Sequence, residues 1–369
     1  MSTQPVIDMC LSARVIVTCG TGGVGKTSVA AALGFEVAQQ GKRAIVITID
    51  PARRLADAIG LGEGTGNEIQ RVPLDATGEL WVTMLDVQET FDSLVRDTSP
   101  TPERAKEVMD NSFYRSLSRS LSGTRDYMAA ERLYDLCEDE RFDVIIVDTP
   151  PSRNALDFLE SPERLARFLK HPIVKFLVAP SRGGFRLVNA AMQPVFKAIS
   201  TVVGGDTLTG TAAFLRAFDG MEEEFSRRAL VVADTLRSSV SSFVIVTAPS
   251  PDALIEANHF VSELSRLGIT LRLIVANRMP PHFGTLTATE EHSMAQSQSG
   301  DLARVHELIA GLHDDADRAD SNIQAFTQRT SVVFPVVSIA FATELATDIH
   351  DMDSIGALAQ QLAAPPTQQ

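Results

Sequence analysis

The chain has 369 residues, too many for one minimal core, and its 44% hydrophobic and 22% charged residues describe a soluble globular protein, one large α/β domain with insertions. A net charge of −14 and a pI of about 5.0 argue against broad binding to nucleic acid or to anionic membranes. Three scattered cysteines, Cys10, Cys19 and Cys137, fit a reducing compartment; with no CxxC pair, no basic leader and no run of 18 apolar residues, the expected location is cytoplasmic.

In chain order, residues 14–19 (RVIVTC) are a β-branched run bounded by glycine, which predicts a buried strand. A glycine-rich turn follows over 20–25. From Lys26, the alanine-rich stretch with Val29, Ala32, Leu33 and Val37 predicts a helix over 26–40, stopped by Gly41. Strand, loop and helix frame Gly20-Thr21-Gly22-Gly23-Val24-Gly25-Lys26-Thr27, which fits G-x-x-x-x-G-K-[ST]. Phosphate chemistry needs these residue types. Glycines let consecutive backbone N–H groups close around an anion, and the helix points its positive end at the same charge. Lys26 can reach the β- and γ-phosphates of ATP, and the Thr27 hydroxyl can ligate Mg²⁺. Ser28, in the first helical turn, completes the candidate nucleotide-binding set.

Residues 43–50 (RAIVITID) predict a second strand, parallel to the first through a right-handed βαβ crossover. A short helix over 51–60, a loop over 60–68 and a strand over 79–86 follow. Residues 88–140 carry apolar residues at helical spacing, and 142–148 (FDVIIVD) is a deeply apolar strand ending at Asp148. Residues 155–240 predict an inserted helical subdomain whose apolar content either packs internally or lines an exposed groove. The α/β pattern resumes with a strand over 242–249, a helix over 251–267 and a strand over 271–278. Residues 282–300 are polar and predict a mobile loop. A helix over 301–329 and a last strand over 331–338 follow, with Pro335 at an edge or at the strand's end. A weak helix over 354–363 closes the chain. The expected architecture is one α/β P-loop NTPase domain over 1–369, a mostly parallel sheet flanked by helices. The stretches 88–140 and 155–240 are helical insertions that form a client or partner subdomain.

Three residues fall at predicted carboxyl ends of strands, the ligand edge of a parallel sheet. Asp148 sits where a carboxylate would hold Mg²⁺, directly or through water. Asp50 can approach a γ-phosphate and orient or deprotonate water, or cap the helix that Pro51 begins; both can hold. Asn277 can read an adenine edge with its amide or serve as a turn residue.

Together, residues 19–27 (CGTGGVGKT), 49–55 (IDPARRL) and 147–156 (VDTPPSRNAL) resemble the anion-transporting ATPase family, which holds arsenite-pump ATPases and the soluble ATPases that deliver tail-anchored membrane proteins. The resemblance extends over nearly the whole chain. It implies a dimeric, Mg²⁺-dependent ATPase of the deviant Walker A class, with Asp50 as the water-activating carboxylate, Lys26 as catalytic lysine, Asp148 opening the second switch and Asn277 contacting adenine. Family members usually read G-K-G-G-x-G-K-T, and Thr21 stands where the first lysine belongs. Arsenite pumps carry metalloid-binding cysteines and two fused halves; this sequence resembles one half, and its cysteines form no such cluster. The CxxC that bridges eukaryotic targeting dimers is absent. The expected function is a nucleotide switch, a homodimer or a heterodimer with a related ATPase, handling a hydrophobic protein client or a membrane partner and no nucleic acid. The alternatives are the motor of an arsenite or anion pump, and a weakly hydrolysing regulatory subunit, which Thr21 favours.

Overall fold

A computed structural model describes residues 4–49, 67–111, 114–115, 122–150 and 221–365, the side chains of 122–124 and 222 excepted. Asp50, the expected helix over 51–60, most of the loop over 60–68 and the segment 155–220 lie outside the described residues.

The described strands are β1 (Val15–Cys19), β2 (Arg43–Thr48), β3 (Gln70–Val72), β4 (Glu79–Met84), β5 (Val144–Asp148), β6 (Ser241–Thr247), β7 (Leu271–Met279) and β8 (Ser338–Thr343). They form one sheet in the order β3-β4-β2-β5-β1-β6-β7-β8, parallel throughout except for the antiparallel β3. The protein is thus an α/β fold with a mostly parallel sheet. β1 and β5 are buried along their whole length, as the near-continuous apolar runs of a two-side-covered sheet require. β1 and β2 are parallel but not neighbours, because β5 inserts between them.

Helices α1 (Pro5–Ser12) and α2 (Lys26–Gln39) precede α3 (Val87–Thr98), α4 (Pro102–Asp110), α5 (Ser122–Glu138) and α6 (Glu222–Arg237). Then come α7 (Pro251–Arg266), α8 (Ala288–Ser297), α9 (Asp301–Val333) and α10 (Met352–Ala363). Chain contacts divide the molecule into two compact units: Met1–Met84 with Glu140–Leu156 and Leu236–Gln369, and Leu85–Asp139 with Asp157–Thr235. The core of the first joins sheet residues such as Ile16, Val46 and Ile146 to Val29 and Leu33 of α2 and Leu358 of α10. The second, among its described residues, is helical around Phe91, Leu94, Tyr114 and Phe225.

Two sequence expectations are corrected. The stretch 282–300 is not a structureless loop, since it holds α8. Its N-terminus is a capping box: the Glu290 N–H donates to Thr287 Oγ1 at 3.3 Å and the Thr287 N–H to Glu290 Oε2 at 2.8 Å. Local capping makes a helix where apolar periodicity is thin. The last strand is not 331–338. α9 runs on to Val333, and the strand begins only at Ser338, beyond Pro335. Helix α1 and the three-residue β3 had no expectation at all.

Candidate active site

The strands' register brings the site together. Thr18 of β1 and Thr48 of β2 both pair with Asp148 of β5, so the carboxyl ends of three adjacent strands meet at one carboxylate. Asp148 is fully buried. Its Oδ2 accepts from Thr27 Oγ1 at 2.8 Å and from Thr48 Oγ1 at 3.0 Å. Beside it, Thr149 Oγ1 donates to the Thr18 carbonyl at 2.7 Å, tying the end of β5 to β1. Hydroxyl and carboxylate oxygens are hard donors, the set that suits Mg²⁺.

The loop over 20–25 lies between β1 and α2. Gly25 has φ +88° and a Cβ there would strike the Asn277 amide, so this position requires glycine for both conformation and space. A Cβ on Gly20, at φ +152°, would strike the Val246 carbonyl. With glycine as its N-cap, α2 has no side-chain cap, which leaves its first N–H groups facing the loop for an anion. Lys26 is buried and folds back, Nζ donating to the Thr21 carbonyl at 2.8 Å. Gly22 and Gly23 are exposed, Val24 is buried, and Thr21, Thr27 and Ser28 are half-buried. The loop can therefore wrap a phosphate with backbone N–H groups while Lys26 supplies a positive charge from inside.

Asn277 lies on β7 and is buried, its Nδ2 donating to the Val24 carbonyl at 2.8 Å. It latches the phosphate loop to β7. A cavity of about 760 Å³ opens beside the loop, lined by Thr21, Gly22, Gly23, Asp252, Glu256 and Arg278 among others. The structure thus brings together Gly20 to Ser28, Asp148 and Asn277; Asp50 lies outside the described residues. Two residues were missed by sequence reasoning. Thr48, which fixes Asp148, looks like any β-branched strand residue. Arg278 lines the cavity and adopts φ +57°, and only its position next to Asn277 hinted at it.

Two of the three thiols, Cys10 and Cys19, sit in unreactive surroundings. Burial pushes Cys10 and Cys19 up to about 12, so neither offers a thiolate near neutral pH. Among the described residues, no group of three or more His, Cys, Asp or Glu is arranged to hold a metal ion, and no helix is long and apolar enough to cross a membrane.

A family model described as anion-transporting ATPase matches residues 13–312. A protein of Aquifex aeolicus provisionally named arsenical pump-driving ATPase 1 is 22% identical over 278 residues, 73% of this chain and 64% of that protein. ATPase GET3 of Malassezia globosa is 23% identical over 280 residues, 75% of this chain and 76% of that protein. The arsenical pump-driving ATPase of Acidiphilium multivorum is 32% identical over 158 residues, 41% of this chain and 26% of that protein. The first of these matches covers a little under two thirds of the relative's length.

Proposed function

The chain belongs to the anion-transporting ATPase family, and from that premise we propose that it is an ATPase that works as a dimeric nucleotide switch, in the cytoplasm, and couples ATP binding and hydrolysis to the handling of a hydrophobic client or a membrane partner. The observation that supports this most is the 2.8 Å hydrogen bond from Thr27 to Asp148, which joins the phosphate loop to the carboxylate ending β5. The loop N–H groups and Lys26 bind the phosphates, and Lys26 exchanges its bond to the Thr21 carbonyl for a phosphate oxygen. Thr27 and Asp148 would hold Mg²⁺, which when bound supplies positive charge to the β- and γ-phosphate oxygens. Asp50 follows β2 by two residues; it orients the attacking water and accepts its proton. Asn277 holds the loop against β7 and is the adenine-side contact.

The test separates binding from turnover. Asp50→Asn should keep ATP affinity within about a few-fold while turnover falls roughly 10²-fold or more. Equilibrium ATP binding and steady-state phosphate release, measured in parallel, check it. Lost affinity with unchanged turnover per bound ATP would make Asp50 a structural residue.

Thr21 favours a second reading, a weakly hydrolysing subunit completed by a related chain. Its side chain is short and uncharged at a position where the family usually carries lysine, and its carbonyl is engaged by Lys26. An arginine finger, an analogous cation, is worth ~10³–10⁵ in rate. Thr21→Lys should therefore raise the turnover of the isolated chain by about 10-fold or more if the missing cation limits it. An ordinary ATPase rate in the wild type, unchanged in Thr21→Lys, removes this reading.

A further inference from the structure

Arg278 directly follows Asn277 at the carboxyl end of β7, and successive strand residues ordinarily face opposite sides of a sheet. Here the backbone breaks that alternation. Ala276 pairs with Phe341 of β8 but Met279 pairs with Thr343, so β7 carries one residue more than its neighbour over this stretch, a β-bulge. Arg278 takes φ +57°, and among the described residues it alone holds a positive φ without being glycine. Arginine has no intrinsic preference for that conformation, which costs any side chain with a Cβ. The result is that Asn277 reaches the phosphate loop, Nδ2 donating to the Val24 carbonyl, while Arg278 lines the cavity beside the same loop with Thr21, Gly22 and Gly23. Bulges re-aim side chains, and left-handed non-glycine residues gather at ligand sites, where the surrounding structure holds them.

Charge narrows what Arg278 meets there. It is the one cationic side chain among the described residues that line the cavity. It is exposed, and no hydrogen bond or ion pair to a described residue holds it. Asp252 and Glu256, one turn apart on α7, line the cavity too. An anion is disfavoured beside those carboxylates and favoured at the loop, where backbone N–H groups and the guanidinium converge. The loop also has a direction. Lys26 Nζ, the group that meets β- and γ-phosphates, rests 2.8 Å from the Thr21 carbonyl, so Thr21 marks the terminal-phosphate end. Building on the nucleotide reading above, we propose that Arg278 binds the γ-phosphate of ATP and makes the site prefer the triphosphate to the diphosphate. Lys26 approaches from within the loop and Arg278 from the cavity. The guanidinium forks onto two oxygens of one phosphate, a geometry that an ammonium lacks. Thr21 puts no side-chain charge at that end, and Arg278 supplies it from β7.

The test measures binding of ADP and of the β,γ-imido analogue of ATP to the full chain with Mg²⁺, by calorimetry. Arg278→Ala should weaken the triphosphate analogue about ten-fold and ADP less than about two-fold. Arg278→Lys keeps the charge without the fork and should fall between Arg278→Ala and the wild type. Arg278→Gly separates charge from backbone. Glycine takes φ +57° freely, so its thermal midpoint should match or exceed that of the wild type, yet it should bind the analogue no better than Arg278→Ala. Wild-type affinity in the alanine or glycine variant would make Arg278 a turn residue and overturn the proposal. Equal losses for ADP and the analogue would place it on the rest of the nucleotide and overturn it as well. Lys26→Ala keeps the two readings apart, since it should lose both ligands. Loss there with the Arg278 variants unaffected overturns this proposal alone. A wild type that binds neither ligand, or a Lys26→Ala variant that binds both as the wild type does, overturns the nucleotide reading and this proposal with it.

Discussion

Each compact unit buries a carboxylate, and the two are held by different chemistry. In the sheet unit, Asp148 accepts from two neutral hydroxyls, Thr27 and Thr48. In the helical unit, Glu131 of α5 accepts from the guanidinium of Arg228 on α6, Nη1 to Oε1 at 2.6 Å. Glu224 and Asp135 also lie within 3.2 and 3.6 Å of the same arginine. A guanidinium neutralises the charge it holds. Hydroxyls orient a carboxylate and leave its charge available to a cation. Asp148 is joined through Thr27 to the helix that follows the glycine-rich loop, whereas Glu131 is joined through Arg228 to a second helix of its own unit. Burial alone does not distinguish a site from a structural pair; the donors do.

The sharpest way to break this contrast is to remove one negative charge from each. Asp148→Asn keeps a carbonyl oxygen for both threonine hydroxyls, so stability should change by less than ~1 kcal/mol. Mg²⁺-dependent turnover should fall about 10²–10³-fold, ~3–4 kcal/mol of barrier. Thermal unfolding and phosphate release on the same preparation check both halves. A large stability loss with turnover intact would put Asp148 in the same class as Glu131.

How much of this was legible beforehand follows from what is local. The phosphate loop could be read because its glycines, lysine and threonine are consecutive and the flanking periods switch from strand to helix at the right places. Asp148 could be read because it ends the most apolar strand. Thr48 could not, because its role exists only once β5 inserts between β1 and β2, and no local pattern encodes sheet order. The same holds for Asn277: its place at the ligand edge was readable, but its bond to the Val24 carbonyl depends on a loop more than 250 residues away. α8 was misread because hydrophobic period was weighted over the Thr287/Glu290 capping box. The Glu131–Arg228 pair had no sequence signal, since charged residues on amphipathic helices usually face water.

Removing the pair's acid should cost less than the loss of turnover at Asp148, and on another observable. Breaking a buried ion pair costs ~3–5 kcal/mol when one charge is stranded. Arg228 keeps Glu224 and Asp135 in Glu131→Ala, so about 3 kcal/mol is expected. Hydrogen exchange in α5 and α6 should speed up roughly 10²-fold, while ATP affinity stays within about two-fold. Lost ATP affinity with unchanged exchange would reverse the assignment of roles.

The smallest effect is a pH dependence confined to the helical unit. Burial pushes Glu131 up to about 7 from its ordinary 4.5, against the pull of Arg228. One of its oxygens, Oε2, is buried without a hydrogen-bond partner, which further disfavours the ionised form. The folded unit therefore holds a proton between 4.5 and 7 that the unfolded chain has released. This contribution to stability is complete below 4.5 and is lost as pH rises through 7. The groups acting on Glu131 are Arg228 from α6, Asp135 from its own helix and Asp97 from α3, and Arg228 also binds Glu224 of α6. Asp135 is also raised, first by burial, and acts in the same direction. Glu224 is lowered to about 2, chiefly by its hydrogen bond to Arg227, and changes stability only in stronger acid, so it leaves the window from 5 to 8 undisturbed. The shift caps the effect at ~3 kcal/mol, and relaxation of the helices should bring it to ~1–2 kcal/mol. Hydrogen exchange in α6, corrected for intrinsic rates, should show the wild type less protected at pH 8 than at pH 5. Glu131→Gln should flatten most of that slope and leave the part owed to Asp135. An unchanged slope in Glu131→Gln would mean that the pair is ionised across the whole range, and that Glu131, like Asp148, carries its charge in the fold at neutral pH.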